Sequence, residues 1–419
     1  MNRVLVDSGI NWIGKIPSTW NIVPIKRIEE LINGFSFESS KYTDNGYFIT
    51  RITNVDDGEL NKRDPKYYPI ELLDSFNSAI LKPNDVLISL TGNVGLVGFV
   101  NDDYLPAALN QRVGSLRSKS EDICQKYLFY FLQTKQFETQ AILNSVGTAQ
   151  LNMSTNWLKE VKVCLPSKDE QMKIASYLEE KCLKINNVIE DNKKEINLLE
   201  EYKQSMIDQT INDIHNYENV RIKNICYVKG RIGWQGLRAD EFIDEGPYLV
   251  TGTDFVDGKV CWETCYHISD ERYEEAKEIQ LKEKDLLITK DGTIGKLAYI
   301  DFLPGKTSLN SHLLVVRPLN EEKYTNKYLY WVLKSTDFIR YCKIKSLGSI
   351  MESITQETFL NYKLKLPKLE QQEEIALKLE HFCSKLDQVI TYRKQIIEKL
   401  NEYKKTLIYE CVTGKKEVN

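Results

Sequence analysis

Histidine is scarce in this 419-residue chain: His215, His267, His312 and His381 are its four, scattered among different stretches. That leaves little room for a histidine-based active site. A G-x-x-x-x-G-K-[ST] phosphate loop is missing, which argues against an ATP site. So is the [D/N]-P-P-[Y/F] turn with which adenine methyltransferases hold a flipped base. The nearest approach, Asp64-Pro65-Lys66-Tyr67, lacks the second proline and reads as an ordinary turn. No apolar run approaches a membrane span. The opening MNRVLVDSGINW has no apolar core, so no signal peptide is expected there. The nine cysteines show no disulfide-framework spacing and read as reduced thiols in a cytosolic protein. Excess positive charge is lacking too, with a formal net charge of −4. A protein that binds DNA alone through phosphates is usually basic. Any nucleic-acid role must then rest on local basic patches or on charge supplied by partners.

What is present is ordinary in composition and unusual in order. Apolar residues make up 42% and charged residues 28%, as in a globular protein with room for two or more cores. The chain contains itself twice. Leu165 to Ile211 aligns without a gap onto Leu366 to Val412, with 18 of 47 positions identical. Leu165-Pro166 matches Leu366-Pro367, Cys182 matches Cys383, and Glu201-Tyr202-Lys203 matches Glu402-Tyr403-Lys404.

Both copies carry apolar residues at alternating steps of three and four, the seam of a coiled coil. The first seam runs through Ala175, Leu178, Cys182, Ile185, Ile189, Ile196, Leu199 and Met206. The second runs through Ala376, Leu379, Cys383, Leu386, Ile390, Ile397, Leu400 and Leu407. Polar residues interrupt both at the same places, Asn192 with Arg393 and Lys203 with Lys404. Each helix would rise roughly 48 Å from Ala175 to Met206 or its equivalent, at ~1.5 Å per residue. The matched seams predict that the two helices pair with each other, as an antiparallel coiled coil with a pseudo-two-fold axis.

The repetition extends upstream. Leu81 to Val100 matches Leu281 to Ile300, Gln125 to Thr134 matches Asn326 to Ser335, and Gly46 to Gly58 matches Gly246 to Gly258. Short β-branched runs such as Val86-Leu87-Ile88 and Leu286-Leu287-Ile288 alternate with Gly, Asn and Asp turns. The predicted fold class is α+β: two similar mixed domains in tandem, with small, mostly antiparallel sheets, each followed by a long helix. The expected boundaries are 1–165 and 215–366 for the domains, and 166–214 and 367–415 for the helices.

The opening DSGINWIGKIPSTWNIVPIKRI, the domain ends LPSKDEQMKIASYL and LPKLEQQEEIALKL, and the segment GTAQLNMS at 147–154 carry a family likeness. Over essentially its whole length the chain resembles the specificity subunits of type I restriction-modification systems. The resemblance implies two target recognition domains, each reading one half of an asymmetric, bipartite DNA site. It implies that the paired helices set a fixed, unread gap. An antiparallel pair would place the domain centres on the same side of the duplex, about one helical turn, ~34 Å, apart. It implies double-stranded DNA, two modification subunits that methylate adenine N6, and restriction subunits as partners. S-adenosylmethionine, ATP and Mg would serve those partners, with no cofactor and no catalytic centre in this chain. A coiled-coil scaffold that binds proteins and no DNA is the alternative reading, supported by the negative net charge.

Candidate DNA contacts follow from residue type. Glycine loops at 91–95 and 291–295 let backbone approach another surface closely, and place Thr91, Asn93, Lys290 and Thr293 beside it. Asn110, Gln111 and Arg112, and Asn310 and Ser311 beside His312, offer amides and donors suited to adenine and guanine. A third group lies early in each domain: Lys41 and Arg51 in the first, and Lys229, Arg231, Trp234, Gln235 and Arg238 in the second. Cys261, Cys265 and His267 hint at a metal, but the spacing is borderline and no second ligand pair lies nearby, so free thiols are expected.

Overall fold

The structure, a computed structural model, describes residues 3–56, 58–147, 150–231, 237, 239–346 and 353–418. Trp234, Gln235 and Arg238 lie outside the described residues. The chain divides into two compact units: Met1–Asn192 with Lys394–Asn419, and Lys193–Arg393. The linear order of domain, helix, domain, helix is therefore not the order of packing. Each unit holds one globular domain and parts of both long helices, Lys168–Asn212 and Leu369–Val412.

In the first unit an antiparallel sheet runs in the order Val97–Phe99, Val86–Ser89, Val113–Ser118, Glu29–Asn33. Val86–Ser89 is buried along its whole length because both of its faces are covered. Alternation along a strand sends neighbouring side chains to opposite faces. Val86 and Ile88 accordingly pack with the helix Gln125–Leu132 and the start of the first long helix. Leu87 packs on the opposite side with Phe48, Ala107 and Leu109 of a second, three-stranded sheet. That sheet pairs Ala107–Leu109 parallel, and Tyr67–Tyr68 antiparallel, to Tyr47–Thr50.

The second unit repeats the design by itself. Its sheet order is Cys226–Gly230, Leu313–Pro318, Leu286–Thr289, Leu297–Tyr299, all antiparallel. Leu286 and Ile288 face the helix Asn326–Leu333, and Leu287 faces Val250 and Leu309. In each domain a buried aspartate held by a half-buried arginine braces the sheet. Arg117 grips Asp85 through Nε at 2.8 Å and a terminal nitrogen at 2.7 Å. Arg317 holds Asp285 at 2.7 and 2.8 Å in the same way.

A glutamine in the first turn fastens each long helix to its domain. Gln171 donates to the Pro166 carbonyl at 3.0 Å and accepts from the Cys124 amide at 2.9 Å. Gln372 donates to Pro367 at 2.8 Å and accepts from Thr325 at 3.1 Å. Both side chains are fully buried, so each satisfies backbone groups that water does not reach. This is the physical content of the repeated Leu-Pro and Gln identities.

The seams form as the spacing predicts. In the first unit Leu178, Cys182, Ile185 and Ile189 share a core with Leu407, Ile408, Cys411 and Val412, flanked by the partly buried Ile397 and Leu400. Lys404 donates to Asn186 across the pair at 3.0 Å. In the second unit Ile196 and Ile390 are buried, Leu199 and Leu386 are half-buried, and Leu379 and Cys383 enter the core with Ile207 and Ile211. Glu195 meets Arg393 at 2.6 Å, and Lys203 meets Asp387 at 2.5 Å. The numbers rise on one helix as they fall on the other, so the pairing there is antiparallel. Polar seam residues thus find partners on the facing helix, and Asn192, buried, donates to the Val188 carbonyl at 2.7 Å.

Residues 3–20 close the first unit. Ile13, Ile16 and Trp20 are buried against the end of the second long helix, where Tyr409 donates to the Ile13 carbonyl at 2.9 Å. Gly414, at φ +70°, passes so near Pro17 that a Cβ would come within 2.4 Å of its ring. Glycine alone satisfies both the left-handed backbone and that approach.

Candidate nucleic-acid interface

Several loops of the first domain meet at one end of its sheets. Backbone bonds make the frame: the Asn110 amide donates to Thr50, Leu90 to Arg112, and Met153 to Leu90. Thr91 forms a bridge with Asn152. The glycine loop turns through Gly92 and Gly95, both at positive φ, and Ser89 closes it by donating to the Asn93 carbonyl. Gly34 comes so close to Asn110 that a Cβ there would lie 2.0 Å from its carbonyl oxygen.

The second domain repeats this frame with other side chains. Asn310 donates to Val250, Lys290 to His312, and Ile354 to Lys290. Asp291 bridges Ser353, Gly292 and Gly295 turn the loop at positive φ, and Thr289 donates to the Thr293 carbonyl. Asn110 and Asn310 both spend a side-chain oxygen on the local turn, accepting from the Arg112 amide at 3.3 Å and the His312 amide at 2.9 Å. Their amide groups therefore help to shape the loops.

The candidates fall into three groups. Arg51, Thr91, Asn93, Asn110, Gln111 and Arg112 come together in the first domain, where Asn93, Gln111 and Arg112 are exposed. Arg51 is half-buried, and its guanidinium reaches the Asp64 carboxylate at 3.2 Å. Asp64 also pairs with Lys66 at 3.1 Å, and the two cations hold its carboxyl below the usual range. The Asp64-Pro65-Lys66-Tyr67 stretch thus runs from an exposed, charged bend into the strand Tyr67–Tyr68. Lys290, Thr293, Asn310 and Ser311 come together in the second domain, and of these Lys290 lines, with Lys229 and Arg231, a cavity of about 420 Å³. Lys41 stands apart on the turn Ser39–Lys41, where Glu38 at 2.8 Å holds its ammonium charged.

Two residues of the second domain are engaged in ways that residue type does not reveal. Arg231 is buried, and donates to the Leu309 carbonyl at 2.9 Å and to Ser308 at 3.0 Å. Burial, with Arg272 nearby, brings its pKa down to about 10. It is placed to brace the loop. Lys229 pairs with Glu278 at 2.8 Å, which raises its pKa. Elsewhere in this domain the Cys261 thiol donates to Glu263 at 3.1 Å, Cys265 is buried, and His267 bonds the Gly246 carbonyl at 2.8 Å.

The sequence model described as "Type I restriction modification DNA specificity domain" matches residues 17–200 and again 214–402. This chain belongs to that family. Among curated relatives, the MjaVIII specificity subunit of Methanocaldococcus jannaschii is 30% identical over 51% of this chain and 49% of its own length. The first of these relatives is thus matched over about half its length. The putative MjaX specificity subunit of the same organism is 25% identical over 96% of this chain and 95% of its own. The EcoBI specificity subunit of Escherichia coli is 19% identical over 99% and 90%. The fold is shared with a chain solved in work on assembly and conformational transition of a type I R-M system, at TM-score 0.75 and 15% identity over 96% of this chain and 99% of that one. The HsdS subunit of Thermoanaerobacter tengcongensis gives 0.52 and 16% over 96% and 98%.

Within this specificity family the chain's business is DNA sequence recognition. The structure adds residues to the candidate surface that residue type alone passed over. Asn152 and Ser353 sit against the glycine loops, and Gln150 has its amide within 3.8 Å of where a Gly92 Cβ would lie. The exposed Lys62 and Arg63 immediately precede Asp64, which Arg51 grips. The offset of 201 residues that relates Asn152 to Ser353 was the available signal for that pair. Among the described residues no helix is long and apolar enough to cross a membrane.

Proposed function

We propose that this chain is the non-catalytic reader of a type I restriction-modification complex, acting in the cytoplasm. Each domain reads one half of an asymmetric, bipartite DNA site, and the long helices fix the gap between the halves. The observation that carries this reading is the repeated loop frame. Both domains hold their glycine loop, their Asn-x-[Arg/His] turn and a third segment by the same backbone bonds, while the exposed side chains differ. Equal frames with unequal side chains suit two readers of two different sequences. Phosphate contacts from lysine and arginine would set the register, and loop side chains would meet base edges in the major groove.

Partner subunits supply the chemistry. Two modification subunits would bring S-adenosylmethionine and methylate adenine N6 after flipping the base, and restriction subunits would bring ATP and Mg. The proposed contacts are Arg51, Thr91, Asn93, Gln111 and Arg112 in the first domain, and Lys290, Thr293 and Ser311 in the second, with Asn110, Asn310, Lys229 and Arg231 shaping the loops. The test is single-molecule sequencing of methylated adenine in cells that carry this gene with its modification subunit. One bipartite motif with unlike halves and a fixed gap is expected. No motif, alongside a modification subunit shown to be active, would favour a protein-binding scaffold instead.

A further inference from the structure

This inference rests on the reading just proposed and concerns one position of the second half-site. At the tip of the second domain the frame places a carboxylate where the first domain has a hydroxyl: Asp291 stands where Thr91 stands. The side chain is about one-third exposed. Two potential donors flank it, Lys290 Nζ at 3.2 Å and His312 Nδ1 at 3.3 Å. Both distances are loose for charge-assisted bonds, so neither partner saturates the carboxylate. The loop leaves room in front of it, since a Cβ at Gly292 or Gly295 would meet nothing within 4 Å.

A carboxylate aimed at DNA is repelled by phosphate and by every base edge that presents only acceptors. Guanine offers O6 and N7, thymine offers O4, and adenine sets N7 beside its amine. Cytosine N4 is the major-groove donor with no acceptor beside it on its own base. The guanine paired with that cytosine presents acceptors next to it, which a neighbouring ammonium complements. We infer that Asp291 and Lys290 together read a C·G pair in the second half-site, Asp291 accepting from cytosine N4 and Lys290 donating to the paired guanine. The first domain, with Leu90 and Thr91 at these places, lacks this reading.

The experiment compares methylated-adenine motifs in cells carrying the complete complex with wild type, Asp291→Asn, or the transplant Thr91→Asp, which leaves the buried Leu90 in place. Wild type is expected to show a C·G pair in the half-site read by the second domain. Asp291→Asn should relax that one position, lowering preference for cytosine by roughly tenfold to a hundredfold, and leave the other half unchanged. The transplant should alter one position of the other half. A wild-type half-site without C·G, or an Asp291→Asn motif identical to wild type, overturns the inference and leaves the function standing. If Asp291→Asn abolishes methylation altogether, the transplant decides: an unchanged first half overturns the inference. Absence of any bipartite motif from wild type overturns the function itself, and this inference with it.

Discussion

Glu29 should make the first unit less stable as pH rises through neutrality. Its carboxyl is 2% exposed, at the start of the strand Glu29–Asn33. Gln125 donates an amide hydrogen to one carboxyl oxygen at 2.7 Å. The other carboxyl oxygen and the Gln125 carbonyl oxygen are both buried without partners. Two neighbouring acceptors cannot satisfy each other, but a proton on Glu29 turns its free oxygen into a donor and closes an acid–amide pair. Burial pushes the carboxyl up from 4.5 to about 7, Asp85 adds to the rise, and Gln125 and Lys119 oppose it. The folded chain therefore holds this proton more tightly than the unfolded chain does. The stabilisation is complete below about pH 4.5 and is lost as pH rises through about 7. At ~1.4 kcal/mol per pKa unit, the loss amounts to about 3 kcal/mol. Glu29→Gln keeps a neutral, hydrogen-bonding group and removes the dependence. Amide hydrogen exchange of Val113–Ser118, which pairs with Glu29–Asn33, reads the effect within this unit. Wild type and variant should match near pH 5 and diverge up to about 8, with the variant the more protected. Equal pH slopes in the two proteins would refute the argument.

Other consequences follow from contacts already described. Arg317→Met strands the Asp285 carboxylate, which is buried, and should destabilise the second unit by about 3–5 kcal/mol in urea unfolding. Leu178→Ala opens the fully buried seam and should cost about 2–5 kcal/mol. Leu183→Ala, on the same helix but 59% exposed, should change stability by no more than about 0.5 kcal/mol, and a similar loss from both would contradict the seam. Inserting four residues near Asn192 adds roughly 6 Å of helix. The methylation motif should then show a longer gap between unchanged half-sites; altered half-sites with the old gap would sink the spacer role.

The long helices were legible because a heptad pattern depends only on spacing, and Leu178, Cys182, Leu379 and Cys383 are buried where it puts them. The α+β character was legible because Val86-Leu87-Ile88 and Leu286-Leu287-Ile288 lie in central strands covered on both faces. Polar loops carry no such period. Nothing local to Lys229-Gly230-Arg231 shows that Arg231 turns inward, since its partners Leu309 and Ser308 are more than seventy positions away. Residue type marks Asn110 as a candidate base-contacting amide but does not show that its side-chain oxygen also accepts from the Arg112 amide two positions on. Asn152 and Ser353 escaped notice because a bridge to Thr91 or Asp291 joins distant segments. The division of each long helix between two units was equally hidden, since the heptads run through Asn192 with little change.

The way the loops are held explains how one frame can serve two readings. Their shape is set by backbone amides and carbonyls, by positive-φ glycines, and by Ser89 or Thr289 closing the turn. None of these depends on the exposed side chains of Asn93, Gln111 and Arg112, or of Thr293. Exchanging exposed residues should therefore leave stability within about 0.5 kcal/mol of the starting protein. A buried brace has no such freedom: Arg231 satisfies groups that would otherwise be stranded, at about 1–3 kcal/mol each. Gln111→Ser and Arg112→His in the first domain separate the two cases, because they install the residues that the second domain tolerates on the same backbone bonds. Unchanged stability with an altered half-site is the outcome this division of labour requires. If stability falls by several kcal/mol, the outward side chains are part of the frame, and the separation of reading from folding does not hold.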